Sequence, residues 1–284
     1  MKRALVTGGA GFIGTHLCNK LLDNGYYVIS LDNYFTGSYD NHIENDYIEY
    51  RHGDVFRVQE IFENEDFDIV YHLGEYSRVE QSFQDFDLVW NSNKINMEKV
   101  LRLVRSQNCK LVYAGSSTKF SNPYEGFIPS PYQWAKESNT EFVKLYSKWY
   151  DIDYAITYFY NVYGSHEIST GKYATLIALF KEKMRKGEKL TIVSPGSQLR
   201  NFTHVDDIVE GLLLVGENGH GDEYGIGHPD SYTVLEIAQM FGGEIEMLRK
   251  RPGNRMSADV ITDKTIALGW KARMNIEDYI NDEL

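Results

Sequence analysis

The chain has 284 residues, 42% hydrophobic and 14% aromatic with 21 Tyr, which is ample for a packed core and excludes disorder over most of its length. Lys and Arg number 29 against 41 Asp and Glu, a formal charge of −12, which argues against a nucleic-acid surface or a site on anionic membranes, since both need dense basic patches. An acidic chain that takes an anionic ligand must therefore gather its positive groups locally.

Strand-like runs fall at 3–7, 27–31, 47–51, 68–73, 110–115 and 154–159, with helical patterns near 12–24, 56–63, 87–107 and 133–150 between them. This alternation predicts an α/β fold, a doubly wound parallel sheet of Rossmann type, with ligands outside the carboxyl ends of the strands. Beyond 160 the pattern is less regular. Helices are expected near 173–186, 204–216, 233–241 and 263–268, and short strands near 190–193, 223–226 and 244–248. The two cysteines, Cys18 and Cys109, match no metal spacing and read as buried free thiols of a reducing compartment. No apolar run approaches the ~18 residues of a membrane span. The N-terminus opens directly into a strand pattern, so a cytoplasmic soluble protein is expected.

Thr7-Gly8-Gly9-Ala10-Gly11-Phe12-Ile13-Gly14 follows the first strand and opens the first helix. Gly8 permits a tight turn, Gly11 lets backbone approach a pyrophosphate, and Gly14 allows close helix packing. The helix N-terminus offers unpaired N–H groups to an anion without any Lys or Arg. Asp32 ends the second strand, where a carboxylate accepts hydrogen bonds from ribose hydroxyls and repels a 2′-phosphate, favouring NAD over NADP. Asn33 follows it, and Asp54-Val55, after the third strand, lie where the adenine edge would be met.

Tyr132 and Lys136, four residues apart at the start of a long helix, share one helical face. A free tyrosine titrates near pH ~10, and lowering that by about three units takes roughly 4 kcal/mol of preferential phenolate stabilisation. A nearby ammonium and a positive nicotinamide ring can supply it. Ser116, at the end of the 110–115 strand, brings a hydroxyl to the same crevice. Together the three make a proton-handling set suited to oxidising a sugar hydroxyl.

Taken jointly, TGGAGFIG (7–14), Asp32, GDV (53–55), YHLGE (71–75), GSS (115–117), YQWAK (132–136), NVYG (161–164) and RNFTHVDD (200–207) resemble the extended short-chain dehydrogenase/reductases, specifically the NAD-dependent nucleotide-sugar epimerase/dehydratase family typified by UDP-glucose 4-epimerase. The resemblance covers nearly the whole chain. It implies Tyr132 as general base, Lys136 as nicotinamide-ribose anchor and Ser116 as the hydroxyl orienting the substrate. It implies NAD contacts from Gly8, Gly11, Phe12, Ile13, Gly14, Asp32, Asn33, Asp54, Val55, Leu73, Gly74, Glu75, Asn93, Tyr132 and Lys136. A nucleotide-diphosphate sugar would be met by Ser116, Ser117, Asn161, Arg200 and Arg251, the arginines gripping the diphosphate; Arg255 is a weaker candidate.

Several positions depart from the family pattern. Tyr158 stands where an arginine is usual, which puts a structural ion pair in question, and Asn201 replaces an acid. Ser117-Thr118 replace the Asp-Glu pair of the 4,6-dehydratases, which disfavours dehydration. Glu75 replaces an alanine. It is either a carboxylate held by backbone or Arg78, or one that touches the sugar or tunes the oxidised ring.

The domains expected are 1–165 plus 204–225 for NAD and 166–203 plus 226–284 as a smaller α/β substrate lobe. Relatives imply a homodimer through helices 87–107 and 133–150. The leading function is C4 epimerisation of a nucleotide sugar through a 4-keto intermediate. The alternatives are a C4 dehydrogenase that releases the keto sugar and, from another class, a catalytically silent NAD-binding module.

Overall fold

The computed structural model describes residues 1–120, 128–249, 256–257 and 259–283. Seven parallel strands form its centre: β1 (Arg3–Thr7), β2 (Tyr27–Asp32), β3 (Ile48–His52), β4 (Ile69–His72), β5 (Lys110–Ala114), β6 (Tyr154–Phe159) and β7 (Gly221–Ile226). Their order is β7-β6-β5-β4-β1-β2-β3. The chain runs outward from β1 to β3 and then returns to the other side of β1 as β4. The carboxyl ends of β1 and β4 therefore flank the topological switch, where such sheets open a ligand crevice.

Alternating side chains load both faces. Leu5, Val70, Leu111 and Ile156 pack with Val100, Leu101, Val104 and Val143 on one side. Ala4, Val6, Ile69 and Val112 pack with Leu17, Leu21, Ile208 and Leu212 on the other. The covering helices are α1 (Phe12–Asp23), α2 (Asn96–Gln107), α3 (Pro131–Tyr150) and, after a fourth helix α4 (Leu176–Lys186) outside the sheet, α5 (Val205–Asn218). Helix α3 begins at Pro131 rather than 133, because Ser130 caps it in a reciprocal capping box with Gln133 and Pro131 occupies the first turn. Cys18 and Cys109 are buried and free; burial pushes the Cys109 thiol up to about 12.

The helix expected over 87–107 is interrupted. Phe86–Val89 is α-helical, Trp90–Ile95 is π-helical, and α2 follows. The wider register frees the Asn93 carbonyl, which accepts from Asn139 Nδ2 at 2.9 Å.

A third core joins Tyr163, Ile177, Phe180, Leu190, Ile192, Phe202, Ile237, Phe241, Ile276 and Ile280. It carries parallel strands Leu190–Val193 and Ile245–Leu248, the antiparallel pair Leu199–Arg200 and Tyr232–Thr233, and helices α4 and α6 (Val234–Phe241). Part of 226–284 lies elsewhere. Thr265 Oγ1 donates to Gly225 O at 2.7 Å, and Trp270 is buried in the second core with Nε1 donating to Asp207 O at 2.8 Å. Residues 263–270 therefore pack on the central sheet and α5, not in the smaller lobe.

Candidate functional site

The glycine turn is built almost entirely from backbone. Gly8 has φ +73°, the left-handed region, and a Cβ there would come within 2.9 Å of Gly74 Cα. A Cβ at Gly14 would collide with Gly8 O and lie 2.7 Å from Gly9 Cα, so Gly14 seats α1 on the turn itself. Gly9, which the spacing leaves out, is also required, since its Cβ would strike the Ser30 hydroxyl of β2. Gly11 caps α1 with no side-chain hydrogen bond, leaving first-turn N–H groups uncapped at the carboxyl end of β1. Phe12 and Ile13 anchor the same turn to the second core.

Asp32 is not a solvated turn residue. It is 7% exposed, its Oδ2 accepts from Ala10 N at 3.0 Å and its Oδ1 from Tyr34 N at 2.8 Å. Burial raises its carboxyl above the ordinary range, against those bonds. Asn33 Nδ2 donates to Asp54 Oδ2 at 2.9 Å, tying the ends of β2 and β3 together, and Val55 is buried behind them. Leu73 N bonds Thr7 O and Gly74 N bonds Thr7 Oγ1, so the β4 end lies directly against the glycine turn. This side-chain-free turn, with a buried carboxylate at the end of β2, fits a dinucleotide: a Cβ on Gly8, Gly9 or Gly14 would push the turn itself apart, and first-turn N–H groups are left for an anion.

Across the switch stand the proton-handling groups. Tyr132 OH donates to Ser116 Oγ at 3.2 Å, and Thr118 Oγ1 donates to the same oxygen at 2.9 Å. Tyr132, Ser116, Ser117 and Thr118 are all buried. Lys136, one turn after Tyr132, donates from Nζ to Ala114 O at 2.7 Å. The residues singled out as a chemical set are thus one physical cluster.

Glu75 corrects two expectations. It is held neither by backbone nor by Arg78, whose guanidinium instead donates to Tyr173 O at 2.6 and 2.9 Å. Its carboxylate, 1% exposed, pairs with Lys136 at 2.5 Å and accepts from Asn139 Nδ2 at 3.0 Å and Tyr113 OH at 3.1 Å. Lys136 is therefore not a free positive charge in the crevice. Burial opposes ionisation of Glu75, but Lys136 and His72 outweigh it and hold the carboxyl below the usual range. Sequence reading missed Tyr113, Asn139 and His72. Asn139 stands three residues after Lys136 on the same helical face, a signal that was available.

Asn93 also has partners within the fold. Its side chain accepts from Tyr76 N at 2.9 Å and donates to Tyr76 O at 3.0 Å, pinning the loop after β4.

On the far side of the crevice Asn161 has φ +38° and donates to Asn201 O at 3.3 Å. Asn201 Nδ2 lies 3.1–3.3 Å from the carbonyls of His228, Pro229 and Asp230, which explains an amide where the family carries an acid: a carboxylate cannot donate. Tyr158 donates to Asp222 at 2.5 Å, and Lys119, 2.9 Å from Asp222, supplies the cation that an arginine would have brought. Arg200 sits on the strand pair beside this loop, with Nη1 donating to Leu199 O at 2.8 Å. Arg251 and Arg255 lie outside the described residues. Among the described residues no group of three or more His, Cys, Asp or Glu could hold a metal, and no helix is long and apolar enough to cross a membrane.

The model of the NAD dependent epimerase/dehydratase family matches residues 4–227. A protein of Methanocaldococcus jannaschii named a putative UDP-glucose 4-epimerase is 30% identical, covering 97% of this chain and 95% of its own length. UDP-glucuronic acid decarboxylase 6 of Arabidopsis thaliana is 29% identical, over 97% and 86%. The crystal structure of a UDP-glucose 4-epimerase with UDP-glucose from Thermotoga maritima superposes with TM-score 0.88 at 27% identity, covering 98% of this chain and 96% of that one.

Proposed function

The chain belongs to the NAD dependent epimerase/dehydratase family, and on that premise we propose that it is a nucleotide-sugar epimerase acting at C4. The observation that carries this reading is the Tyr132–Ser116 hydrogen bond, with Lys136 one turn away beside the glycine cradle. NAD, when bound, supplies the hydride acceptor. The first-turn N–H groups of Phe12, Ile13 and Gly14 face its pyrophosphate, those of Gly8 and Gly11 being spent on Leu31 O and Gly8 O, and Asp32 takes a ribose hydroxyl. Asn33, Asp54, Val55, Leu73, Gly74 and Asn93 shape the rest of the cleft.

Ser116 accepts from Tyr132 and Thr118, which leaves its own O–H to orient the sugar hydroxyl. Tyr132 removes that hydroxyl's proton as the C4–H bond breaks and returns it when the other face of the 4-keto sugar is reduced. Lys136 stabilises the phenolate and anchors the nicotinamide ribose. Ser117, Asn161 and Arg200, with Arg251, would bind the nucleotide diphosphate. Ser117 and Thr118 offer no carboxyl pair for eliminating water, so the keto sugar is not dehydrated. The exposed aromatics Trp90, Trp134 and Trp149 lie on the helices expected to pair, where Trp90 and Trp134 stack at 5.9 Å, and a cytoplasmic homodimer through that face completes the reading.

The test is incubation with UDP-, GDP- and dTDP-hexoses and UDP-glucuronic acid, followed by NMR. Equilibrated C4 epimers are expected. A released keto sugar with reduced cofactor would instead establish the C4 dehydrogenase, and carbon dioxide from UDP-glucuronic acid a decarboxylase; either overturns epimerisation.

A further inference from the structure

The least expected feature of the reaction centre is a buried carboxylate bound to its lysine. Glu75 is carried by the turn after β4, Lys136 by α3, and their side chains are 1% and 6% exposed. The 2.5 Å pair is walled by Tyr113 of β5, Asn139 of α3 and His72 of β4, whose Nε2 lies 3.5 Å from Glu75. His72 is itself fixed by a 2.7 Å bond from Nδ1 to Thr7 Oγ1, one residue before the glycine turn. Asn139 passes the network on to Lys94, which donates to its Oδ1 at 2.7 Å.

We propose that Glu75 is a positioning residue of the reaction: it fixes the Lys136 ammonium against β5 and sets how much of that charge reaches the Tyr132 phenol. The inference rests on the reading of Tyr132 as the base. A lone ammonium acts on its neighbours as a full charge. Paired with a carboxylate it acts as a dipole, whose influence falls off faster with distance. The other charges are unevenly placed. Lys136, Lys94 and His72 surround Glu75, while Arg78 is the cation facing Tyr132 from the loop after β4, with the Tyr113 hydroxyl nearby and the buried Glu167 close to Arg78. Glu75 is the one carboxylate touching Lys136 among the described residues.

Removing the charge while keeping the shape separates this role from packing. In Glu75→Gln, Lys136 is unscreened, the phenolate of Tyr132 is favoured, and the acid limb of the kcat profile should move down by about one pH unit, a tenfold change in proton concentration. Near-ultraviolet titration of the NAD-loaded protein, with Tyr132→Phe subtracted, should show the same displacement without any substrate. Glu75→Asp, which keeps the charge but lengthens the contact, should shift both readouts in the same direction by less. It serves as the test if the glutamine variant does not fold. A titration and profile unmoved in the folded variants overturn the proposal, even where melting temperature falls. A shifted titration in a protein that turns over no nucleotide sugar supports the proposal while overturning the function assigned above.

Discussion

The glycine turn and the reaction centre face each other across one crevice and are built by opposite means. The turn recognises with backbone: Gly8, Gly9 and Gly14 are there because a Cβ would meet Gly74, Ser30 or Gly8 itself. The reaction centre works with side chains, and the ionised ones are buried in pairs, as Lys136 with Glu75. The difference explains how a chain of net charge −12 can take an anionic ligand. Helix-terminal N–H groups bring partial positive charge with no counter-ion, whereas each buried cation near the chemistry is met by an anion or a carbonyl.

If the division is real, turnover and cofactor retention should separate. Tyr132→Phe removes the base and leaves the cradle intact. Turnover should fall by about 10²–10⁴-fold with NAD still co-purifying, measured by steady-state kinetics and cofactor absorbance after denaturation. Gly14→Ala should do the reverse. Its methyl must displace the turn carbonyl of Gly8, so bound NAD should be lost and stability should fall by about 1–3 kcal/mol or more in denaturant unfolding.

The substrate-side loops sharpen the contrast, because there side chains serve the backbone. Asn201→Asp restores the family's acid but places a carboxylate against three carbonyls. A loss of about 1–3 kcal/mol in denaturant unfolding is expected at neutral pH.

The smallest effect concerns Glu167, which accepts from Gly164 N at 3.0 Å and whose carboxyl burial pushes up to about 7. A carboxyl that holds its proton more tightly folded than unfolded favours folding at low pH. That contribution is complete below about 4.5 and is lost as pH rises towards 7. Glu167→Gln should remove the slope, so its melting temperature should gain on the parent as pH rises from 5 to 7.

Much of the fold was legible in the sequence because parallel strands and amphipathic helices write their periods locally. β1, β2 and β4–β6 fall within a residue or two of the runs read from the chain. The glycine turn, Asp32 and the Tyr132–Lys136 spacing were legible for the same reason, each being a short-range pattern with a known geometric demand. The π segment at Trp90–Ile95 was not. It is stabilised by Asn139, 46 residues beyond Asn93, and a helical period does not record a contact that distant. Nor was the place of residues 263–270, whose attachment to the sheet depends on Trp270 meeting Asp207.

By itself, then, the sequence determined that this chain folds as a doubly wound sheet, sets a glycine turn before its first helix and presents Tyr132, Lys136 and Ser116 on neighbouring elements. Those properties follow from spacing along one strand, one turn or one helix. Only the tertiary structure decided the partner of Glu75. Arg78, three residues away in the chain, was the nearer guess; Lys136, 61 residues on, is the partner. A buried charge takes the counter-charge that the packed core brings within reach, and that choice is made by how β4, β5 and α3 converge.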